Sequence, residues 1–227
     1  MAAPIHLHPT AELAPRVLLP GDPGRALLLA QALLDAPRMF NHHRGLWGYT
    51  GAARADGEPL TIQATGMGGP SAAIVLSELA DLGAERVIRV GTCGALAAEL
   101  ALGDLVVVEA ALGADGTSRA LGAPEQLAGD PVLTAALVGE HRGLVVTTDL
   151  FYDPDAERQE RWVAAGALAV EMECATVLAV AAARGMAGAA VLLVSDLVLP
   201  ARRRIEPDAL RAGEERLGAA ALVALAG

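Results

Sequence analysis

Three arginines stand where an anion could be held. Arg25 lies in Leu19-Pro20-Gly21-Asp22-Pro23-Gly24-Arg25-Ala26, between a short apolar run and a leucine- and alanine-rich one. Glycine at such a junction lets the backbone approach an anion, and the free N–H groups of a helix start point at it. A guanidinium adds a planar fork that matches phosphate oxygens. The same stretch also reads as an ordinary strand–helix turn with a surface arginine. Arg44, in Asn41-His42-His43-Arg44-Gly45-Leu46-Trp47-Gly48-Tyr49-Thr50-Gly51, has the same two readings. His42 and His43 beside it read as turn residues, because neighbours on a strand face opposite ways and cannot easily share a metal. Arg89 is the most informative of the three. It sits inside the apolar run Arg86-Val87-Ile88-Arg89-Val90, followed by Gly91-Thr92-Cys93-Gly94-Ala95. A charge buried in a central strand needs a partner. Gly91, Thr92 and Gly94 suggest a strand end that opens onto an anion, at the edge where α/β sheets place their sites. Cys93 has no neighbouring histidine base and reads as a small buried thiol.

Acids form the complementary set. Val170-Glu171-Met172-Glu173-Cys174-Ala175 places two carboxylates among apolar residues. Buried there, both need donors, and the hydroxyls of a sugar are one such pair, with Met172 free to pack on the sugar face. The alternative is a pair of acids capping a helix start, which the macrodipole favours. Asp196 ends the apolar run Val191-Leu192-Leu193-Val194-Ser195. An acid in such surroundings favours its protonated form and could serve as a general acid; Ser195-Asp196 equally suits a helix N-cap.

Composition removes other chemistries. All 17 basic residues are arginine, so a P-loop lysine and Schiff-base chemistry are out. Only Ser71, Ser77, Ser118 and Ser195 occur, none in GxSxG. CxxC, HExxH and EF-hand patterns are missing, so no metal is expected. A net charge of −10 makes nucleic acid and anionic membranes improbable partners. No run of 18 apolar residues suggests a membrane span. Prolines and a carboxylate occupy the first residues where a signal peptide needs a basic then apolar run, and Cys93 and Cys174 read as reduced thiols. A cytoplasmic location is the expectation.

The elements that must position these residues alternate. Strands are predicted at Arg16–Leu19, Trp47–Ala53, Leu60–Thr65, Val87–Val90, Leu105–Glu109, Leu144–Thr148, Ala167–Val170 and Ala190–Val194. Helices are predicted at Arg25–Leu34, Ser71–Leu82, Glu157–Ala165, Cys174–Arg184 and Pro207–Ala226. This alternation implies a parallel or mixed sheet covered on both faces, in one domain spanning residues 1–227. Gly113–Asp130, rich in Gly, Pro and Asp, reads as a surface loop.

Taken together, PIH near the start, LPGDPGRA, NHHRGLWGYTG, TGMGGPSAA, RVGTCGA, TDLFYDPD, VEMECA and VSD resemble, in order, the bacterial hexameric purine nucleoside phosphorylases. The resemblance runs from Pro4 to Asp196. It implies an α/β fold: a three-layer domain whose central mixed, partly barrel-like β-sheet is flanked by helices. It implies reversible phosphorolysis of purine (deoxy)ribonucleosides to free purine and α-(deoxy)ribose-1-phosphate, with inorganic phosphate as co-substrate and no cofactor. Phosphate would be bound by Gly21, Arg25, Arg89 and Thr92, and by Arg44 of a neighbouring subunit. The nucleoside would be bound by Phe151, Val170, Glu171, Met172, Glu173 and Ser195, and by a neighbour's His6, with Asp196 as the catalytic acid. A homo-oligomer follows, a hexamer built as a trimer of dimers. The family's helper arginine beyond the Ser-Asp pair has four candidates: Arg202, Arg203, Arg204 and Arg211. Uridine phosphorylase is the nearest alternative; it reads its base with a Gln-x-Arg pair, which is not found near Phe151, Arg158-Gln159-Glu160-Arg161 being the closest stretch and read as having the wrong order. Arg25, Arg44 and Arg89 weigh against a hydrolytic nucleosidase. Glu173 and Asp196 weigh against a nucleoside-binding protein without activity.

Overall fold

A computed structural model describes residues 4–199 and 201–226. Its strands are β1 (Arg16–Leu19), β2 (Leu34–Asn41), β3 (Gly48–Ala53), β4 (Pro59–Gln63), β5 (Arg86–Ala95), β6 (Leu105–Gly113), β7 (Gln126–Ala128), β8 (His141–Thr147), β9 (Ala169–Glu171), β10 (Ala187–Leu197) and β11 (Arg203–Arg204). Its helices are α1 (Pro23–Leu33), α2 (Gly69–Leu82), α3 (Gly116–Ala120), α4 (Pro131–Ala136), α5 (Ala156–Ala164), α6 (Cys174–Ala183) and α7 (Pro207–Ala226).

All the strands join one mixed sheet. β10 pairs with both β5 and β6, and the series β6–β8–β9–β5 closes the ring into a five-stranded barrel. From β5 the sheet continues outward through β1, β4, β3 and β2. β5 and β10 read as unbroken apolar runs because both their faces are buried. Ile88, Val90, Val191 and Leu193 pack toward α1 and α7. Cys93, Leu192 and Val194 join residues of the other barrel strands and of α6. Val17, Leu19 and Val87 meet α2 and α6. Helices therefore cover the sheet from both sides, as the alternation predicts. Among the described residues, no helix is long and apolar enough to cross a membrane.

The local signals act as expected at several ends. Asp22 caps α1 by accepting from the Gly24 N–H at 2.7 Å, with Pro23 at the first helical position. α2 stops at Gly83, whose φ of 105° is a left-handed C-cap.

Three sequence expectations need correction. Gly113–Asp130 is not a plain surface loop. It holds α3 and β7, and Asp115 and Ser118 are buried, with Asp115 accepting from the backbone N–H of Ser118 and from the Thr176 hydroxyl. β2 was not expected, since Pro37 interrupts it. It lies at the edge of the sheet, where a missing N–H is tolerated, and its pairing with β3 is irregular around Ala36, at φ 43°. β5 and β10 also run on through the residues read as strand ends, so Arg89–Gly94 and Ser195–Asp196 lie within strands rather than in loops.

Candidate active site

The carboxyl ends of β1, β4, β5 and β10 open onto one cavity of about 570 Å³. β9 runs antiparallel to β5, yet its end reaches the same place, because Val170 pairs with Gly94 near the end of β5. Every candidate site residue lines this cavity except His6 and Arg44.

One end is cationic. Arg25, in the first turn of α1, is buried, which removes its surface reading; its Nε donates to Glu214 Oε1 at 2.7 Å. Because the Asp22 carboxylate already takes the Gly24 N–H, the start of α1 offers the cavity a side chain more than free backbone donors. Arg89 is 3% exposed. It reaches this end by folding back along its own strand over Gly91. A Cβ on Gly91 would stand 2.6 Å from Arg89 Nη2 and 2.7 Å from Cζ, so only glycine leaves room. Gly21 lies opposite, its would-be Cβ 4.0 Å from Arg89 Nη1. That Nη1 is buried with no hydrogen-bond partner among the described residues, which leaves one donor of the fork for a ligand. Thr92 completes this end.

The two acids behave differently. Glu171 is saturated by the protein. Its Oε1 accepts from the Thr147 hydroxyl (2.5 Å) and the Cys174 N–H (2.8 Å). Its Oε2 accepts from the Glu173 N–H (2.8 Å) and from Arg89 Nε (2.9 Å). Glu171 thus caps α6 and anchors Arg89, so a sugar is not needed to supply its donors. Glu173 occupies the N-cap position of α6 but makes no capping bond. Its Oε1 accepts from Gly68 N–H at 2.5 Å and its Oε2 meets Arg89 Nη2 at 2.5 Å. Gly68, at φ 85°, turns its N–H inward in a conformation that favours glycine. Burial pushes the Glu173 carboxyl above its ordinary value, Arg89 opposes this, and the charge of Glu171 adds to it. For Arg89, burial alone would lower the pKa, but Glu173 and Glu171 outweigh it and the guanidinium stays charged. Burial pushes the thiols of Cys93 and Cys174 up, which fits inert core thiols.

Ser195 and Asp196 are neighbours on a strand, and regular alternation would turn them to opposite faces. A bulge prevents this: Val194 pairs with Cys93 but Asp196 with Gly94, leaving Ser195 as the extra residue, and both side chains line the cavity. Ser195 Oγ donates to Asp196 Oδ2 at 2.8 Å. Asp196 Oδ1 is buried without a hydrogen bond among the described residues, and Arg204 Nε lies 3.3 Å from it. Of the four candidate helper arginines, Arg204 is thus the one beside the acid, held there because Arg204 pairs with Asp196 across β11 and β10. Arg211 instead pairs with Glu215 along α7.

The cavity wall also has an aromatic and apolar part, formed by Phe151, Trp162, Val170 and Met172, with the Arg202 guanidinium 4.5 Å from the Phe151 ring centre. Sequence reasoning missed Trp162, Gln159 and Met67. Trp162 had a signal, as a lone aromatic in the polar helix AERQERWVA. Gln159-Glu160-Arg161 does carry the Gln-x-Arg order, which corrects the reading that the order is wrong. Gln159 lines the cavity, whereas Arg161 turns outward to Asp155 (2.6 Å) and Glu157 (3.6 Å), so the two are not presented together.

His6 and Arg44 share a patch outside the cavity. Glu78, on α2, accepts from the backbone N–H groups of Ile5 (3.1 Å), His6 (3.0 Å) and Leu7 (2.7 Å), and its Oε1 lies 2.8 Å from His6 Nδ1. His43 Nδ1 is 3.0 Å from the His6 carbonyl, and its ring stacks on His8 at 3.8 Å. Arg44 follows, exposed, at φ 57°.

Residues 15–225 match the family model described as the phosphorylase superfamily. A DeoD-type purine nucleoside phosphorylase of Geobacillus kaustophilus is 38% identical over 201 residues, covering 84% of each chain. One from Alkaliphilus metalliredigens is 36% identical over 203 residues, covering 83% of this chain and 84% of its own. The crystal structure of a uridine phosphorylase from Vibrio fischeri superposes with a TM-score of 0.83 at 26% identity, covering 94% of this chain and 92% of that one.

Proposed function

The chain belongs to the phosphorylase superfamily, and from that premise we infer that it is a purine nucleoside phosphorylase. It transfers the pentosyl group of a purine nucleoside to inorganic phosphate. One observation carries this reading: Arg25 and Arg89 line the same cavity as Asp196, Phe151 and Trp162.

Phosphate occupies the end formed by Gly21, Arg25, Arg89 and Thr92. Holding it beside C1′ of the sugar turns a bimolecular attack into a local one. Glu173, whose outer oxygen already shares Arg89, accepts from the ribose hydroxyls, and Met172 packs against the sugar. Glu171 acts through Arg89, as a positioning residue. The base stacks near Phe151 and Trp162, beside Val170. As the glycosidic bond breaks, positive charge grows on the ribose and negative charge on the purine. The adjacent phosphate stabilises the first. Asp196 protonates N7 and stabilises the second, and Arg204 favours the carboxylate left behind. These steps call on no cofactor or metal.

Arg44 and His6 serve a neighbouring copy. Within one chain Arg25 and Arg89 are already matched by Glu214, Glu171 and Glu173, so a phosphate dianion would meet no surplus positive charge. A third arginine from a partner supplies it. A trimer of such dimers, working in the cytoplasm in purine salvage, is the assembly and setting this reading implies. Uridine phosphorylase remains the second reading, favoured by Gln159 in the cavity.

The test is a release assay on inosine, adenosine and uridine with and without phosphate. Purine release that requires phosphate, with uridine left intact, is expected. Uridine turnover above that of both purines selects the second reading, and purine release undiminished without phosphate overturns phosphorolysis.

A further inference from the structure

Gln159 is a polar side chain in the aromatic part of the cavity to which the steps above give no task. It stands three residues before Trp162 on α5, so the two share a helix side, and both line the cavity with Phe151, Val170 and Arg202. Its neighbours on α5 are engaged elsewhere: Arg158 with Asp153 and Asp155, Arg161 with Asp155 and Glu157. The half-buried Gln159 amide makes no hydrogen bond to the described residues. Binding slots of this kind are mostly apolar, and the few polar groups set in their walls fix orientation and selectivity.

We propose that Gln159 is a specificity-determining residue that reads the edge of the base bearing N1 and the 6-substituent. This rests on the purine reading above. A carboxamide carries a donor and an acceptor side by side, and no protein partner fixes which way this one faces. Turned one way, it accepts from N1–H and donates to O6 of a 6-oxo purine. Turned the other way, it donates to N1 and accepts from the amine of a 6-amino purine. Exclusion of water by Trp162 and the base strengthens both arrangements.

The experiment compares wild type, Gln159→Leu and Gln159→Glu on inosine, adenosine and purine riboside, which has no substituent at C6, at saturating phosphate. Gln159→Leu should raise KM about tenfold for inosine and adenosine, the value of one or two lost hydrogen bonds, and much less for purine riboside. The KM for phosphate should not move. Gln159→Glu can only accept while ionised; inosine offers it N1–H and adenosine the 6-amine, whereas purine riboside offers no N–H at this edge, so the variant should favour inosine and adenosine over purine riboside by about tenfold relative to wild type. Equal changes for all three nucleosides in both variants, or no change in either, would overturn the proposal. If Gln159→Leu fails to fold, Gln159→Glu decides: a shift toward inosine and adenosine over purine riboside supports the proposal, and an unchanged ratio overturns it. Wild-type enzyme that cleaves no purine nucleoside is a separate outcome; it defeats the purine reading first and this proposal with it.

Discussion

Asp196 Oδ1 is a buried oxygen with no hydrogen bond among the described residues, held 3.3 Å from a guanidinium. Such an atom gains a partner only when a ligand arrives, which suits an acid that works on a bound base. Asp196→Asn should lower kcat on inosine about a hundredfold, the usual scale for a lost general acid. The KM for phosphate should stay within about twofold, since the residues proposed to hold phosphate are Arg25 and Arg89 rather than Asp196. Steady-state kinetics in both substrates checks this; parallel losses in the two parameters would show that the residue only supports the fold. Arg89 was legible from sequence because an arginine inside Val87–Val90 has to be explained. Arg204 was not, since Arg202, Arg203 and Arg204 are consecutive and only the pairing of β11 with β10 selects one. The separate duties of Glu171 and Glu173 were equally hidden, because they depend on Thr147 and Gly68, far away along the chain.

At the scale of elements, the segment Ile5–Leu7 is tied to α2 by a single carboxylate. Burial works to raise the pKa of Glu78, but the His6 ring and three backbone N–H groups outweigh it and hold it below its ordinary value of 4.5. A carboxylate lowered in this way contributes stability above its unfolded value and loses it as pH falls through its folded value. The amides of Ile5, His6 and Leu7 should therefore keep their hydrogen-exchange protection down through the ordinary carboxylate range and lose it only in stronger acid. Glu78→Gln should make them exchange about tenfold faster at neutral pH, after correction for intrinsic rates, since the charge-assisted bonds weaken. Unchanged exchange would mean that other contacts hold the segment. The regular helices and the central strands were readable from sequence, because their patterns are long and their caps conventional. The edge strand β2, the short α3 and β7, and the bulge at Ser195 were not. Each depends on partners brought in by the sheet rather than on its own residues.

At the scale of the whole molecule, His6 and Arg44 stand together on a surface patch that faces away from their own cavity. If they complete a neighbour's site, two defective chains should repair each other. Arg25→Ala is a poor choice for one of them, because it would leave Glu214 buried and unpaired. Arg44→Ala mixed with Asp196→Asn is better, since Arg44 is exposed and the Asn variant keeps the side-chain shape. Each variant alone should be weak. Refolded together, they should recover up to about a quarter of wild-type activity, because half of randomly formed two-fold pairs carry one intact site. A mixture no more active than its components would rule out sharing. The balance of two guanidinium groups against three carboxylates inside each chain has a consequence for assembly. If Arg44 completes a neighbour's site, a newly folded copy still on its own should not sequester orthophosphate and should gain that capacity only when another copy docks.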